Sequence, residues 1–169
     1  EALISGKSGV QLKNTYPEVK AYCVLRNEHL FLSEESKESD YMYAYSVTPS
    51  FTEFFKLPLL SGDLHKTLLS SNEIAVTRSF ALQYFGIVNP IGKSITLGHS
   101  IRHFDGKENT YKTIFKSHTI TTVIDDSQKS FLHYGILRGL SDEEVSQITG
   151  FSFYTFIELT PEVTVQKFL

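Results

Sequence analysis

Val19, Ala21, Cys23 and Leu25 alternate along the chain with Lys20, Tyr22, Val24 and Arg26. This period of two marks a strand, because successive side chains leave it on opposite sides. The alternation returns at Tyr41, Tyr43, Tyr45 and Val47, at Ile74 and Val76, and at Ile95 and Leu97. It is strongest again over Thr119–Ile124. Helical periodicity is confined to short stretches between these segments. Strands in clusters with a few short helices predict an α+β fold.

Local signals place the elements. A helix is predicted over 8–15, ended by Tyr16-Pro17 because proline drives the preceding residue out of the helical region. Strands are predicted at 19–26, at His29–Leu32 and at 41–48, with 34–40 a solvated loop. Phe51–Phe55 reads as a short helix, and 57–63 as an extended segment that turns. Glu73–Thr77 is a strand. Arg78–Phe85 is a helix with Phe80, Ala81, Tyr84 and Phe85 on one face. Gly86 suits its C′ position. Asn89-Pro90-Ile91-Gly92 is a turn, and 93–98 a strand. Residues 99–111 are polar, with Asp105-Gly106 the hairpin turn. Residues 112–124 are β-rich, 125–129 turn, and 131–137 read as strand. Ser141–Ile148 is a helix, with Ser141 and Glu144 spaced as a capping box. Phe151–Leu159 is apolar on both faces, which predicts a central strand. A further helix is predicted to start at Pro161.

Composition narrows the class of function. The chain has 169 residues, which fits one domain or two small lobes sharing a core. Its 16 basic and 19 acidic residues leave a net charge of −3, so no basic balance points to nucleic acid. With a single cysteine no intrachain disulfide forms, and a chain this long folds without one. No stretch approaches ~18 uninterrupted apolar residues, and no signal peptide is visible. Because the chain starts at Glu1, it reads as a soluble piece of something larger.

Several residue groups resemble sites and fail on spacing or context. Gly86-Ile87-Val88-Asn89-Pro90-Ile91-Gly92-Lys93-Ser94 has five residues between its glycines, where a phosphate loop needs four. A helix precedes it and a strand follows, the reverse of what aims a helix N-terminus at phosphate. His99 and His103 are four apart, with Asp105 and Glu108 nearby, but sit in a hairpin pattern without a third ligand at motif spacing. His29, His65, His118 and His133 are scattered singly. Asp125-Asp126 follows a strand, and Asp142-Glu143-Glu144 opens a helix, where acidic residues are favoured by the dipole. Cys23 lies on an apolar strand face and reads as a buried small hydrophobe. The tyrosine row at 41, 43 and 45 fits a packed sheet face as well as a ligand surface. No nucleophile elbow is present. The residues thus predict no catalytic residue, no cofactor and no metal.

One ordered set of motifs is more specific. Phe54-Phe55 is followed by Leu57-Pro58-Leu59-Leu60-Ser61-Gly62-Asp63, then by Asn72-Glu73-Ile74-Ala75-Val76-Thr77. Phe80-Ala81-Leu82-Gln83-Tyr84-Phe85-Gly86 and Asn89-Pro90-Ile91-Gly92-Lys93-Ser94-Ile95 complete it, and Tyr16-Pro17-Glu18-Val19 precedes it. This order resembles the MacB-like periplasmic core domain of MacB/FtsX-type ABC transporter permeases. Thr121–Asp126 departs from the family's Val-Gly-Val stretch, and 99–118 reads as a local elaboration.

The resemblance implies two α/β lobes, one inserted into the other, within a single extracytoplasmic domain spanning 1–169. The outer lobe would comprise 1–57 with 127–169, and the inserted lobe 58–126. It implies a non-catalytic domain in the periplasm, attached to the inner membrane by flanking transmembrane helices. Its partners would be a cytoplasmic ABC ATPase, a second permease domain, and a periplasmic adaptor or substrate protein. The domain would pass ATP-driven motion to efflux, lipoprotein release or a regulated partner. The residues alone leave open a free-standing ligand-binding module or small enzyme.

Overall fold

In a computed structural model, the described residues are 4–32, 41–104, 108–127, 134–147 and 151–163. Strands β1 (Ile4–Ser5), β2 (Val19–Phe31), β3 (Tyr41–Val47), β4 (Leu59–Ser61) and β5 (Glu73–Thr77) come first. Then follow β6 (Ser94–Phe104), β7 (Asn109–Ile124), β8 (Ile136–Gly139) and β9 (Phe151–Leu159). Among the described residues five short helices are interspersed: α1 (Lys7–Thr15), α2 (Phe51–Phe54), α3 (Leu64–Leu69), α4 (Arg78–Phe85) and α5 (Asp142–Gln147). The fold is a mixed α/β arrangement around one large sheet.

The strand order runs β1-β9-β2-β3-β8-β5-β7-β4, with β6 pairing both β7 and β2. That last contact is short, Leu30 opposite His99 and Phe31 opposite Gly98. It closes the pairings β2–β3–β8–β5–β7–β6 into a ring. Every ring strand sends apolar side chains to one cluster: Leu30, Ala44, Ile74, Val76, Ile95, Leu97, Ile120, Val123 and Ile136, plugged by Phe80 and Ala81 of α4. A second cluster lies on the other face of the sheet, with Cys23, Leu25, Val47 and Leu137 under Phe51 of α2 and Leu64 and Leu68 of α3. A third joins Val24, Leu140, Val145 and Phe153.

Most expected elements are present, and the departures have local causes. The strands expected at 19–26 and 29–32 form one strand of 13 residues. Asn27 and Glu28 are poor strand formers, but they pair with Tyr45 and Ala44, and the ladder overrides propensity. Strand β6 continues past Gly98 to Phe104 because β7 pairs with it throughout. Helix α3 was not expected. Asp63 caps it by accepting the Lys66 N–H at 3.1 Å, while Leu64, Thr67 and Leu68 bury one side. Strand β9 is not central: β2 flanks it on one side and only the two-residue β1 on the other. It is apolar on both faces because Phe153 enters one cluster while Tyr154 and Phe156 pack on another.

The expected turn at Asp105-Gly106 lies outside the described residues, and β6 and β7 on either side of it pair up to Phe104 opposite Asn109. The expected loop 34–40, residues 131–133 of the expected strand, Ile148 and the helix beyond 163 lie outside the described residues. Gly86 ends α4 at φ 68°, a left-handed cap. Gly139 is required for a different reason: a Cβ there would meet the Leu68 carbonyl oxygen at 2.0 Å, so only glycine lets β8 lie against α3.

Candidate functional site

The face of the sheet that carries the ring's apolar cluster turns polar at one end. There, Arg26, Ser46 and Arg138 occupy one cross-strand row through β2, β3 and β8. Glu28 sits one row away, opposite Ala44. The small side chains of Ala44 and Ser46, both fully buried, leave room for the longer ones above them. Arg138 grips Glu28 with two bonds, Nε to Oε2 and Nη2 to Oε1, each 2.8 Å. Arg26 adds Nη1 to Glu28 Oε1 at 3.4 Å. The remaining guanidinium nitrogen of Arg138 donates to the Gly139 carbonyl at 3.1 Å and to Glu144 at 3.4 Å.

Glu144 also closes the expected capping box. Its carboxylate accepts the Ser141 N–H at 2.9 Å, and its own N–H donates to Ser141 Oγ at 3.2 Å. The start of α5 is therefore wired to the ion pair. Burial works against charge on Glu28, but the bonds and charge of Arg138, aided by Arg26, bring its pKa down to about 2. The same partnership raises the pKa of Arg138 against its own burial.

Two histidines complete this end. His99 comes from β6 and His118 from β7, on either side of the Leu97–Lys116 pair. Their Nε2 atoms approach to 3.2 Å. His118 is 3% exposed. Burial, then the charge of Arg138, lowers the pKa of His99 to about 4. Burial followed by Arg138 and Lys116 lowers that of His118. Both rings are neutral near pH 7, and one nitrogen of the pair donates to the other. Arg26, Glu28, His99, Lys116, His118 and Arg138 line a cleft of about 320 Å³. Small-molecule sites commonly form in the mouths of strand rings such as this.

A second, shallower cleft of about 340 Å³ lies beside α1 and α5, among Lys13, Tyr22, Glu53, His65 and Asp142. Tyr22 donates to Asp142 at 2.7 Å, and burial followed by that bond keeps the phenol protonated.

The residues singled out by sequence have mostly structural places. Residues 86–94 form a helix cap and a turn, with Lys93 N–H bonded to the Pro90 carbonyl at 3.0 Å. His99 and His103 lie on a strand, not a helix; the partner of His99 is His118, and the side chain of His103 lies outside the described residues, as does Asp105. Glu108 is exposed. Asp125 accepts the Ser127 N–H, and Asp126 accepts the Ser79 N–H at the start of α4, so each carboxylate caps backbone. Cys23 is fully buried, and burial pushes its pKa up to about 12. Tyr43 is exposed with His29 against its edge, and Tyr45 packs on Tyr134. The side chain of Tyr41, and all of His133, lie outside the described residues. The Glu28–Arg138 pair has no signal in the sequence, since 110 positions separate its members.

No family model matches the chain, and no curated protein matches it in sequence. Solved structures do match its fold. A domain of a permease-type protein from Porphyromonas gingivalis superposes with a TM-score of 0.66 at 17% identity, over 98% of this chain and 67% of that one. The periplasmic region of MacB from Actinobacillus actinomycetemcomitans gives 0.56 at 15% identity, over 98% and 68%.

The fold is that of MacB-like periplasmic domains. The extracellular domain of the ABC-type transporter YknZ from Gram-positive bacteria shares it, with a TM-score of 0.56 at 12% identity, over 95% and 75%. The MacB-like fold thus accounts for nearly the whole chain, including the part after Gly98 where the motif order had departed.

Proposed function

We propose that the chain is the extracytoplasmic domain of an ABC transporter permease, which passes ATP-driven motion of flanking transmembrane helices to a substrate or partner outside the inner membrane. The observation that carries this reading is the MacB-like fold over 98% of the chain. The motif order from Tyr16 to Ile95 supports it independently. So do the neutral histidines, the buried thiol and the capping carboxylates, none of which forms a nucleophile–base constellation. The domain is non-catalytic in this reading. ATP is hydrolysed by a cytoplasmic ABC subunit, and a second permease domain faces this one across the membrane surface.

The lobe division proposed from the resemblance, 58–126 inserted between 1–57 and 127–169, is supported by the way β4, β5, β6, α3 and α4 gather around β7. The inserted segment joins the rest through β5–β8, the packing of α3 on β8 and the short β2–β6 contact. At its surface, Leu59, Leu60, Ile87, Val88 and Ile91 are exposed, which suits a lobe that touches a partner. Among the described residues no helix is long and apolar enough to cross a membrane, so in this reading the spans lie in adjoining sequence.

The test uses the full-length protein in nanodiscs with its ATPase. Spin labels on the external domains of two copies are expected to change separation between the ATP-bound and nucleotide-free states. A full-length chain without transmembrane spans, or a separation unmoved by nucleotide, would overturn the reading.

A further inference from the structure

We propose that the cleft at the polar mouth of the strand ring binds a small organic carboxylate, its head held by Arg26, Lys116 and His99 and its aliphatic body lying on Ile114. The site rests on these side chains and not on the transport reading. Arg26, Lys116 and Arg138 line the cleft against two carboxylates, Glu28 and Glu144, which leaves one positive charge in excess. Both carboxylates are already committed. Glu28 is gripped by Arg138 through both oxygens. Glu144 closes the cap of α5 and reaches Arg138. The excess therefore falls on Arg26 and Lys116.

Each of these has bonding capacity left. Lys116 is exposed and has no carboxylate partner among the described residues. Arg26 reaches Glu28 through Nη1 alone, at 3.4 Å. Its Nε is buried without a partner. Arg138 grips Glu28 with its Nε and Nη2, so the edge that Arg26 leaves unused is the one that forks a carboxylate. The Arg26 side chain is 30% exposed, and a rotation turns that edge to an acceptor in the cleft.

The histidine pair supplies a third donor. The Nδ1 of His118 is buried without a partner. A buried lone pair is left bare more readily than a buried N–H. His118 therefore carries its proton on Nε2 and donates it to His99 Nε2, 3.2 Å away. His99 then carries its own proton on Nδ1, as an N–H donor on the cleft wall.

Charge and shape select the ligand. A planar carboxylate brings one negative charge to match the one in excess, and fits a guanidinium fork. A phosphate dianion would set a second charge beside Glu28 and Glu144. Ile114, opposite His99 in the ladder and 37% exposed, offers an apolar wall that an inorganic anion cannot use. The volume of about 320 Å³ lies at the small end for ligand pockets. Arg26 stands on β2, His99 on β6 and Lys116 on β7, so the bound carboxylate spans the β2–β6 contact, the shortest pairing in the ring.

The 169-residue chain is titrated with sodium hexanoate, acetate and phosphate at constant ionic strength, followed by ¹H–¹⁵N NMR. Hexanoate is expected to give saturable shifts confined to the cleft ends of β2, β6, β7 and β8, and to bind more tightly than acetate or phosphate. Lys116→Gln, on an exposed side chain, is expected to weaken hexanoate about tenfold. Arg26→Gln is expected to weaken it at least as much, and Lys66→Gln on α3 to leave it unchanged. The same spectra report whether each variant folds; should Arg26→Gln not fold, Lys116→Gln decides. No saturable binding of hexanoate, an affinity unmoved by Lys116→Gln, or phosphate binding as tightly as hexanoate would overturn the site.

Discussion

The two ends of the strand ring are built on different physics. At one end Ile74, Val76, Ile95, Leu97, Ile120 and Ile136 pack around Phe80. At the other, Glu28 and Arg138 are held as a buried bidentate pair beside two neutral histidines. The apolar end is forgiving, because apolar contacts are many, individually weak and without strict direction. The polar end is not, because each buried charge depends on one partner in one geometry. The lesson is that the same sheet face can supply stability at one end and a preorganised cleft at the other.

The largest expected effect falls at the polar end. Arg138→Met leaves Glu28 buried without its partner and is expected to cost ~3–5 kcal/mol of stability, read from urea unfolding. Ile74→Ala at the apolar end opens a cavity and is expected to cost ~2–5 kcal/mol, with folding otherwise intact. The two ends are further told apart by acid. The pKa of Glu28 is lowered to about 2 from an ordinary value of 4.5, so the folded state binds fewer protons than the unfolded one in between. Its contribution is fully present above pH 4.5 and is lost as pH falls towards 2. Unfolding midpoints measured across that window should fall more steeply for the parent chain than for Glu28→Gln. The smallest effect tests a point remote from both ends: Gly86→Ala, at φ 68°, is expected to lower stability by ~1 kcal/mol without altering the cleft.

The apolar end was legible in the sequence and the polar end was not, for a physical reason. Ile74 with Val76, and Ile95 with Leu97, announce their inward face through a period of two, a local property of the chain. Gly86 and the Ser141–Glu144 box announce a cap and a start through spacing within a few residues. Glu28 announces nothing, because its role is set by Arg138, 110 positions away. His99 drew notice for its distance from His103 along the chain, yet the hairpin brings it to His118 instead. Asp63 caps α3, although the proline and glycine around it are the marks of an extended turn. The strand β9 misled for another reason: Phe153 enters one cluster while Tyr154 and Phe156 pack half-buried on another, although the strand sits beside a two-residue edge strand.

The contrast between the ends rests on Glu28 and Arg138 acting as one unit. A double-mutant cycle tests this directly, with Glu28→Leu, Arg138→Met and the double variant compared by equilibrium unfolding at pH 7. The account predicts that the double variant is more stable than Arg138→Met alone, with a coupling of ~2 kcal/mol or more between the two sites. Additive losses, with the double variant the least stable of the three, would contradict it.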